Sequence, residues 1–201
     1  MNKYNLIFKF FFIYLVICAN AYSQDLKLPN DIVALGSNKA PVKIKVFSSL
    51  TCPHCASFHI KVVPKIKDKY IDAGKVQLIF IDFPLDQAGF NASKLLHCID
   101  EKKRIIFLDT IYEQQDKWTS GSNLIDINNN LKKIVKSLGI TAAKFEECLN
   151  DDAIAEKILN NRIEGQKKYS INSTPTIIIN EKKFEGSAIF KNIEKKIKKH
   201  I

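Results

Sequence analysis

Cys52 and Cys55 stand three positions apart in Thr51-Cys52-Pro53-His54-Cys55, after the apolar run Val42 to Phe47. Two thiols at this spacing read as a redox pair. Where such a run is a strand and the cysteines open a helix, the first cysteine meets the unpaired N–H groups and the positive dipole end of that helix. Its thiolate is thereby stabilised, so Cys52 is expected to be ionised at neutral pH and to leave readily when a disulfide through it is attacked. Protonated His54 adds a second positive partner, and Pro53 suits the first helical turn because it has no N–H to leave unbonded. A dithiol whose reduced form is stabilised in this way has a disulfide that oxidises other thiols. Cys52 is thus expected to be the exposed sulfur that attacks or is attacked. Cys55, one turn into the helix, is expected to be buried and to act as the resolving thiol.

Other uses of a close cysteine pair fit less well. Zinc needs two further ligands, and Cys98 beside His97 is the one candidate cluster, so no metal site is expected. Haem attachment needs a histidine directly after the second cysteine, and residue 56 is Ala. No cofactor is expected.

The elements that position the pair follow from periodicity. Val42-Lys43-Ile44-Lys45-Val46-Phe47 alternates and then turns apolar, a strand signal. Phe58, Val62, Val63 and Ile66 recur at helical spacing up to Tyr70, with Pro64 expected to kink the helix. Ala73-Gly74 ends it, and Val76 to Phe83 reads as a largely buried second strand stopped by Pro84. The cysteines then lie at the carboxyl end of the first strand, where parallel sheets place chemistry. From Gln87 to about Gln166 strand character disappears. Leu95 with Ile99, Ile105 with Ile106 and Ile111, Leu131 with Ile134, Val135 and Leu138, and Ile154 with Ile158 and Ile163 mark amphipathic helices. Thr141 and Asp151 or Asp152 are candidate N-caps. Strand character returns at Thr176-Ile177-Ile178-Ile179-Asn180, with Lys183-Phe184-Glu185 as a hairpin partner, and Ile189, Phe190, Ile193 and Ile197 share one face of a last helix. The fold class is α/β, a sheet interrupted by a helical insertion.

The 201 residues, 46% hydrophobic and 26% charged, suit one domain with a sizeable core. Lys3 and Lys9 precede the apolar run Phe10 to Cys18, and Ala19-Asn20-Ala21 follows as a small-x-small pattern, so residues 1–21 read as a signal peptide cut after Ala21. The apolar run falls short of the roughly 20 residues a spanning helix needs. Ile17 precedes Cys18 where lipoprotein processing wants a small residue. Removal of the signal leaves Cys52, Cys55, Cys98 and Cys148, an even set that suits an oxidising compartment, here the periplasm, and that allows three pairings. The formal charge of +10 falls to +8 without Lys3 and Lys9. Its lysines are dispersed and form no groove-reading motif, so no nucleic-acid partner is expected.

The run Phe47-Ser48-Ser49-Leu50-Thr51-Cys52-Pro53-His54-Cys55-Ala56-Ser57-Phe58-His59 resembles the active site of DsbA-like thiol-disulfide oxidoreductases, and Ser173-Thr174-Pro175-Thr176 resembles their cis-proline loop. The resemblance extends from about Val42 to the C-terminus. It implies a thioredoxin-like domain over 41–86 and 167–201, a helical insertion domain over 87–166 and a lead-in over 22–40. It also implies a Cys98–Cys148 disulfide and a cis Thr174–Pro175 peptide facing the cysteines, where the Thr174 backbone pairs with an extended client segment. His59 stands where many relatives carry an acidic residue, and reads as a core or surface position. Trp118 and Phe107 read as core residues, and His97 and His200 are given no function.

The activity so implied is the donation of disulfides through Cys52–Cys55 to unfolded or partly folded, cysteine-bearing exported proteins. The protein is expected to act as a monomer, with a quinone-linked membrane protein as its reoxidase. The alternatives are an isomerase or reductase on the same scaffold, and a periplasmic protein that binds copper with the dithiol.

Overall fold

Alternation along Val42–Ser48 resolves into strand β2, whose Val42, Ile44 and Val46 side chains are all but fully buried. In the computed structural model, which describes residues 32–201, β2 lies at the centre of a five-stranded sheet. It pairs in parallel with β3 (Val76–Asp82), in a register that runs from Val42 opposite Val76 to Ser48 opposite Asp82. On its other side it pairs antiparallel with β4 (Thr176–Ile179). Two short strands complete the sheet. β1 (Val33–Leu35) lies antiparallel to β3 at one edge, and β5 (Lys182–Lys183) antiparallel to β4 at the other. The expected signal peptide, with Lys3, Lys9 and Cys18, lies outside the described residues. So does part of the expected lead-in, whose remainder contributes β1.

The β2-to-β3 crossover carries helix α1 (Pro53–Lys61) and a second short helix, α2 (Val63–Ile66). Pro64 sits in the first turn of α2, so the break between the two falls where a proline ring would clash with the preceding turn. A turn of π-helix (Lys67–Ile71) leads on towards β3. Six helices follow β3: α3 (Gln87–Cys98), α4 (Arg104–Glu113), α5 (Gln115–Trp118), α6 (Leu124–Ser137), α7 (Ala142–Leu149) and α8 (Asp152–Tyr169). Four of them, α3, α6, α7 and α8, have starts capped by short polar side chains. Asp86, Asn123, Thr141 and Asp151 accept from the N–H groups of Gly89, Asp126, Lys144 and Ile154, each satisfying a donor the helix leaves open.

After β4 the chain turns at Asn180 and Glu181, both in left-handed backbone conformation, so β5 begins at Lys182, nearer the turn than the expected Lys183. The turn is tied to β2 by the bond from Lys43 N–H to Asn180 Oδ1, 2.7 Å. Helix α9 (Phe190–Ile197) closes the chain and buries Ile193 and Ile197. The sheet separates two apolar clusters. The larger contains Val46, Phe80, Phe107, Ile111, Tyr112 and Trp118, and the smaller Phe47, Phe83, Ile171 and Ile178. The division follows the two-residue period of β2 and β3, which places Val46, Ser48, Phe80 and Asp82 on one face and Phe47 and Phe83 on the other.

Candidate active site

Strand β2 ends at Ser48, and four residues later Cys52 occupies the N-cap of α1 in extended conformation. Its carbonyl accepts from the N–H groups of Cys55 and Ala56 at 3.0 and 3.1 Å, and Pro53 takes the first helical position. The loop is held from three sides. Gln115 Nε2 donates to the carbonyls of Leu50 (2.8 Å) and Cys52 (3.2 Å). The Thr51 hydroxyl donates to Asp86 Oδ2 at 2.7 Å, while the other oxygen of that carboxylate caps α3. The Ser49 and Thr51 hydroxyls lie 2.9 Å apart.

Opposite the helix start lies the Ser173-Thr174-Pro175 loop, with the Thr174–Pro175 peptide in the cis form. Cys52 Sγ is 3.4 Å from the Thr174 carbonyl oxygen. A thiol donates across that distance and a thiolate does not, so ionisation of Cys52 releases the carbonyl. Cys52, expected at the surface, is only 8% exposed because this loop lies against it; Cys55, behind it, is 1% exposed.

The two thiols are driven in opposite directions. Cys52 is lowered from the ordinary 9.0 to about 5, chiefly by the Cys55 thiol donating to its sulfur. Burial opposes this, while Thr174 and the backbone N–H groups of Cys55 and His54 add to it. Cys55 is raised, because its proton is shared with Cys52 and because it is desolvated. At neutral pH the pair therefore holds one thiolate, on Cys52, and one thiol. Helix-end N–H groups and a neighbouring donor are a general route to a reactive cysteine.

Pro53 and His54 are exposed. His54, given an electrostatic role from its position, reaches Cys52 through its backbone N–H. Its side chain borders a groove of about 400 Å³ together with Phe58, Lys61, Thr174, Pro175 and Ile189. Cys98 and Cys148 are disulfide-bonded with Cα atoms 5.6 Å apart, joining the end of α3 to α7. His97, given no function from sequence, is buried with its Nε2 2.5 Å from Asp82 Oδ2. His59 is buried on α1, Nε2 to Asp109 Oδ1 2.7 Å. Gln115, Asp86, Asp82 and Tyr112 went unnoticed in the sequence, because each is brought to the site by an element remote in the chain. Among the described residues no group of three His, Cys, Asp or Glu side chains is placed to hold a metal ion.

A mixed sheet with a dithiol at the start of the first crossover helix, facing a cis-proline loop, defines a thioredoxin-like fold. Residues 27–199 match the family model described as Thioredoxin, and the chain belongs to that family. Within it the similarity is to DsbA-like proteins. The crystal structure of Wolbachia pipientis alpha-DsbA1 superposes with a TM-score of 0.78 at 35% identity, covering 86% of this chain and 92% of that one. A Bacillus anthracis chain named probable disulfide bond formation protein D is 31% identical over 176 residues, 83% of this chain and 78% of the relative. A Rickettsia bellii chain whose name proposes a protein-disulfide oxidoreductase is 30% identical over 173 residues, 84% of this chain. The chain spans 64% of the length of that Rickettsia relative.

Proposed function

We propose that the protein is an exported thiol-disulfide oxidoreductase that introduces disulfides into secreted or periplasmic proteins through Cys52 and Cys55. The observation that carries this reading is the placement of the dithiol, with Cys52 at the N-cap of α1 and its sulfur 3.4 Å from the cis-proline loop and Cys55 buried behind it; the lowering of Cys52 to about 5 and the raising of Cys55 agree with it. A client thiolate attacks the Cys52 sulfur of the oxidised pair and expels Cys55, leaving a client–Cys52 mixed disulfide. A second client thiolate then attacks the client sulfur and expels Cys52. The low pKa of Cys52 makes it the better leaving group in this last step, which releases an oxidised client.

The Thr174 carbonyl, free whenever Cys52 carries no proton, as in the disulfide that meets the client, is the backbone acceptor for an extended client segment, so the clients are unfolded or partly folded chains. Export rests on the pattern over residues 1–21 and agrees with the Cys98–Cys148 disulfide, a bond that persists in oxidising compartments. The protein acts as a monomer in the periplasm, and a quinone-linked membrane protein returns it to the disulfide form.

The test is the reduction potential of Cys52–Cys55, measured by equilibrating the purified protein in glutathione buffers and counting the reduced fraction. A value near about −120 mV supports disulfide donation, and one near about −270 mV assigns a reductase instead.

A further inference from the structure

Tyr112 is held against α1, the helix that carries Cys55, by a clamp between two helices. On α1, Cys55 and His59 lie four positions apart, and on α4 Asp109 and Tyr112 lie three apart, so each pair shares one face of its helix. His59 joins the two. Its Nε2 is 2.7 Å from Asp109 Oδ1, its ring is 4.8 Å from the Tyr112 ring between centroids, and Phe80 of β3 closes a third side at 5.4 Å. The hydroxyl of Tyr112 is buried, faces Ser48 at the end of β2, and closes no hydrogen bond of normal geometry. A buried donor left in this way is destabilising, and so calls for an explanation beyond packing. Desolvation above all holds the phenol far above its ordinary range, so the hydroxyl keeps its proton. In the dithiol, Cys55 directs its own proton to Cys52 and offers Tyr112 no anion to bind. An anion arises there only when Cys55 is expelled.

We propose that Tyr112 is the hydrogen-bond donor that receives the departing Cys55 sulfur, an inference that rests on the oxidoreductase reading above. A thiolate attacks Cys52 Sγ and forms the new S–S bond. The Cys52–Cys55 bond breaks, and its electron pair stays on Cys55 Sγ. Tyr112 O–H then donates to this buried thiolate while Thr174 Oγ1, also buried without a standard partner, faces it from the cis-proline loop. A proton from solvent finally neutralises Cys55, and Tyr112 is left as it began. The role is that of an oxyanion-hole donor, placed where charge develops and idle before it does.

The experiment follows single-turnover reduction of the oxidised protein by dithiothreitol, with alkylation of the thiols released, in the wild type and in Tyr112→Phe. The phenylalanine keeps the ring against His59 and loses only the hydroxyl. Reduction is expected to slow by about tenfold or more, the usual range for a hydrogen bond to a charged group. The melting temperature should be equal or higher, and the ultraviolet titration of the Cys52 thiolate unchanged. His59→Asn, which loosens the clamp and leaves the hydroxyl, should slow the same step by a smaller factor. Wild-type reduction rates in Tyr112→Phe, or a loss of rate matched by a loss of melting temperature and a shifted Cys52 titration, overturn the inference. A purified protein that forms no Cys52–Cys55 disulfide reducible by dithiothreitol overturns the oxidoreductase reading itself.

Discussion

Asp82 Oδ2 and His97 Nε2 meet at 2.5 Å between the end of β3 and α3, with both side chains buried. Burial alone would raise the Asp82 carboxyl, but the charge and hydrogen bond of His97, then Ser93 and Lys157, hold it below its usual value. A carboxyl depressed on folding stabilises the protein above its unfolded pKa, and that contribution is lost as pH falls through the folded value. Replacing His97 with Ala is expected to cost about 3 kcal/mol, the low end for breaking a buried pair, because Lys157 still faces the carboxylate. Denaturant unfolding at neutral pH measures the loss, and repetition at falling pH should show the variant converging on the wild type.

Titration of Cys52 should be visible directly. In the reduced protein the ultraviolet absorbance of the thiolate is expected to rise with a midpoint about pH 5, and Cys52→Ser should abolish it. Since the folded value lies below the ordinary 9.0, the ionised thiol stabilises the reduced protein fully above about pH 9. That stabilisation is lost as pH falls through about 5. Thr174→Val removes a hydroxyl that lowers both thiols and should move the midpoint upwards.

The Cys98–Cys148 bond closes a segment with a sequence separation of 50. In the chain-entropy description such a closure stabilises by about 4 kcal/mol, acting through the unfolded chain. The double replacement by Ala should therefore lower the unfolding free energy by that order. Comparison of the two proteins with Cys52–Cys55 reduced in both isolates the effect. An unchanged midpoint of denaturation would show that this bond is not formed in the folded protein.

Gly165 on α8 packs directly against the sheet. A Cβ there would come within 2.8 Å of Phe47 Cε1 and 3.3 Å of Ile171 Cδ1, inside the smaller apolar cluster. Gly165→Ala should destabilise by about 1–3 kcal/mol, as overpacking does, even though alanine favours helix more than glycine. Thermal unfolding checks it.

Much of the fold was legible because its signals are local. The alternation of Val42 to Phe47 and the apolar run from Val76 gave β2 and β3; Pro64 marked a kink where the structure instead separates α1 from α2, and Thr141 and the choice of Asp151 or Asp152 marked two helix starts, the second resolved to Asp151. Strand β1 was not legible. Its three residues are too few to show a period, and they become a strand only because β3 offers an open edge. The same distinction holds at the site. Cys52 and Cys55 announce themselves by spacing, whereas Asp82 and His97, 15 residues apart, meet only once α3 folds back beside β3. Tyr112 drew no notice in the sequence, since nothing local to it signals that its hydroxyl is buried without a hydrogen bond of normal geometry. His59 likewise read as a core or surface residue until Asp109 and Tyr112 were brought to it.

Strand β5 consists of two exposed lysines, Lys182 and Lys183, at the free edge of the sheet. A protein whose proposed clients are unfolded chains meets, at every encounter, segments ready to extend any open ladder of N–H and C=O groups. Two residues offer too short a template for such growth, and their charges repel one another along any stack of copies. The molecule thereby resists being drawn into the aggregates that its clients form when left unassisted.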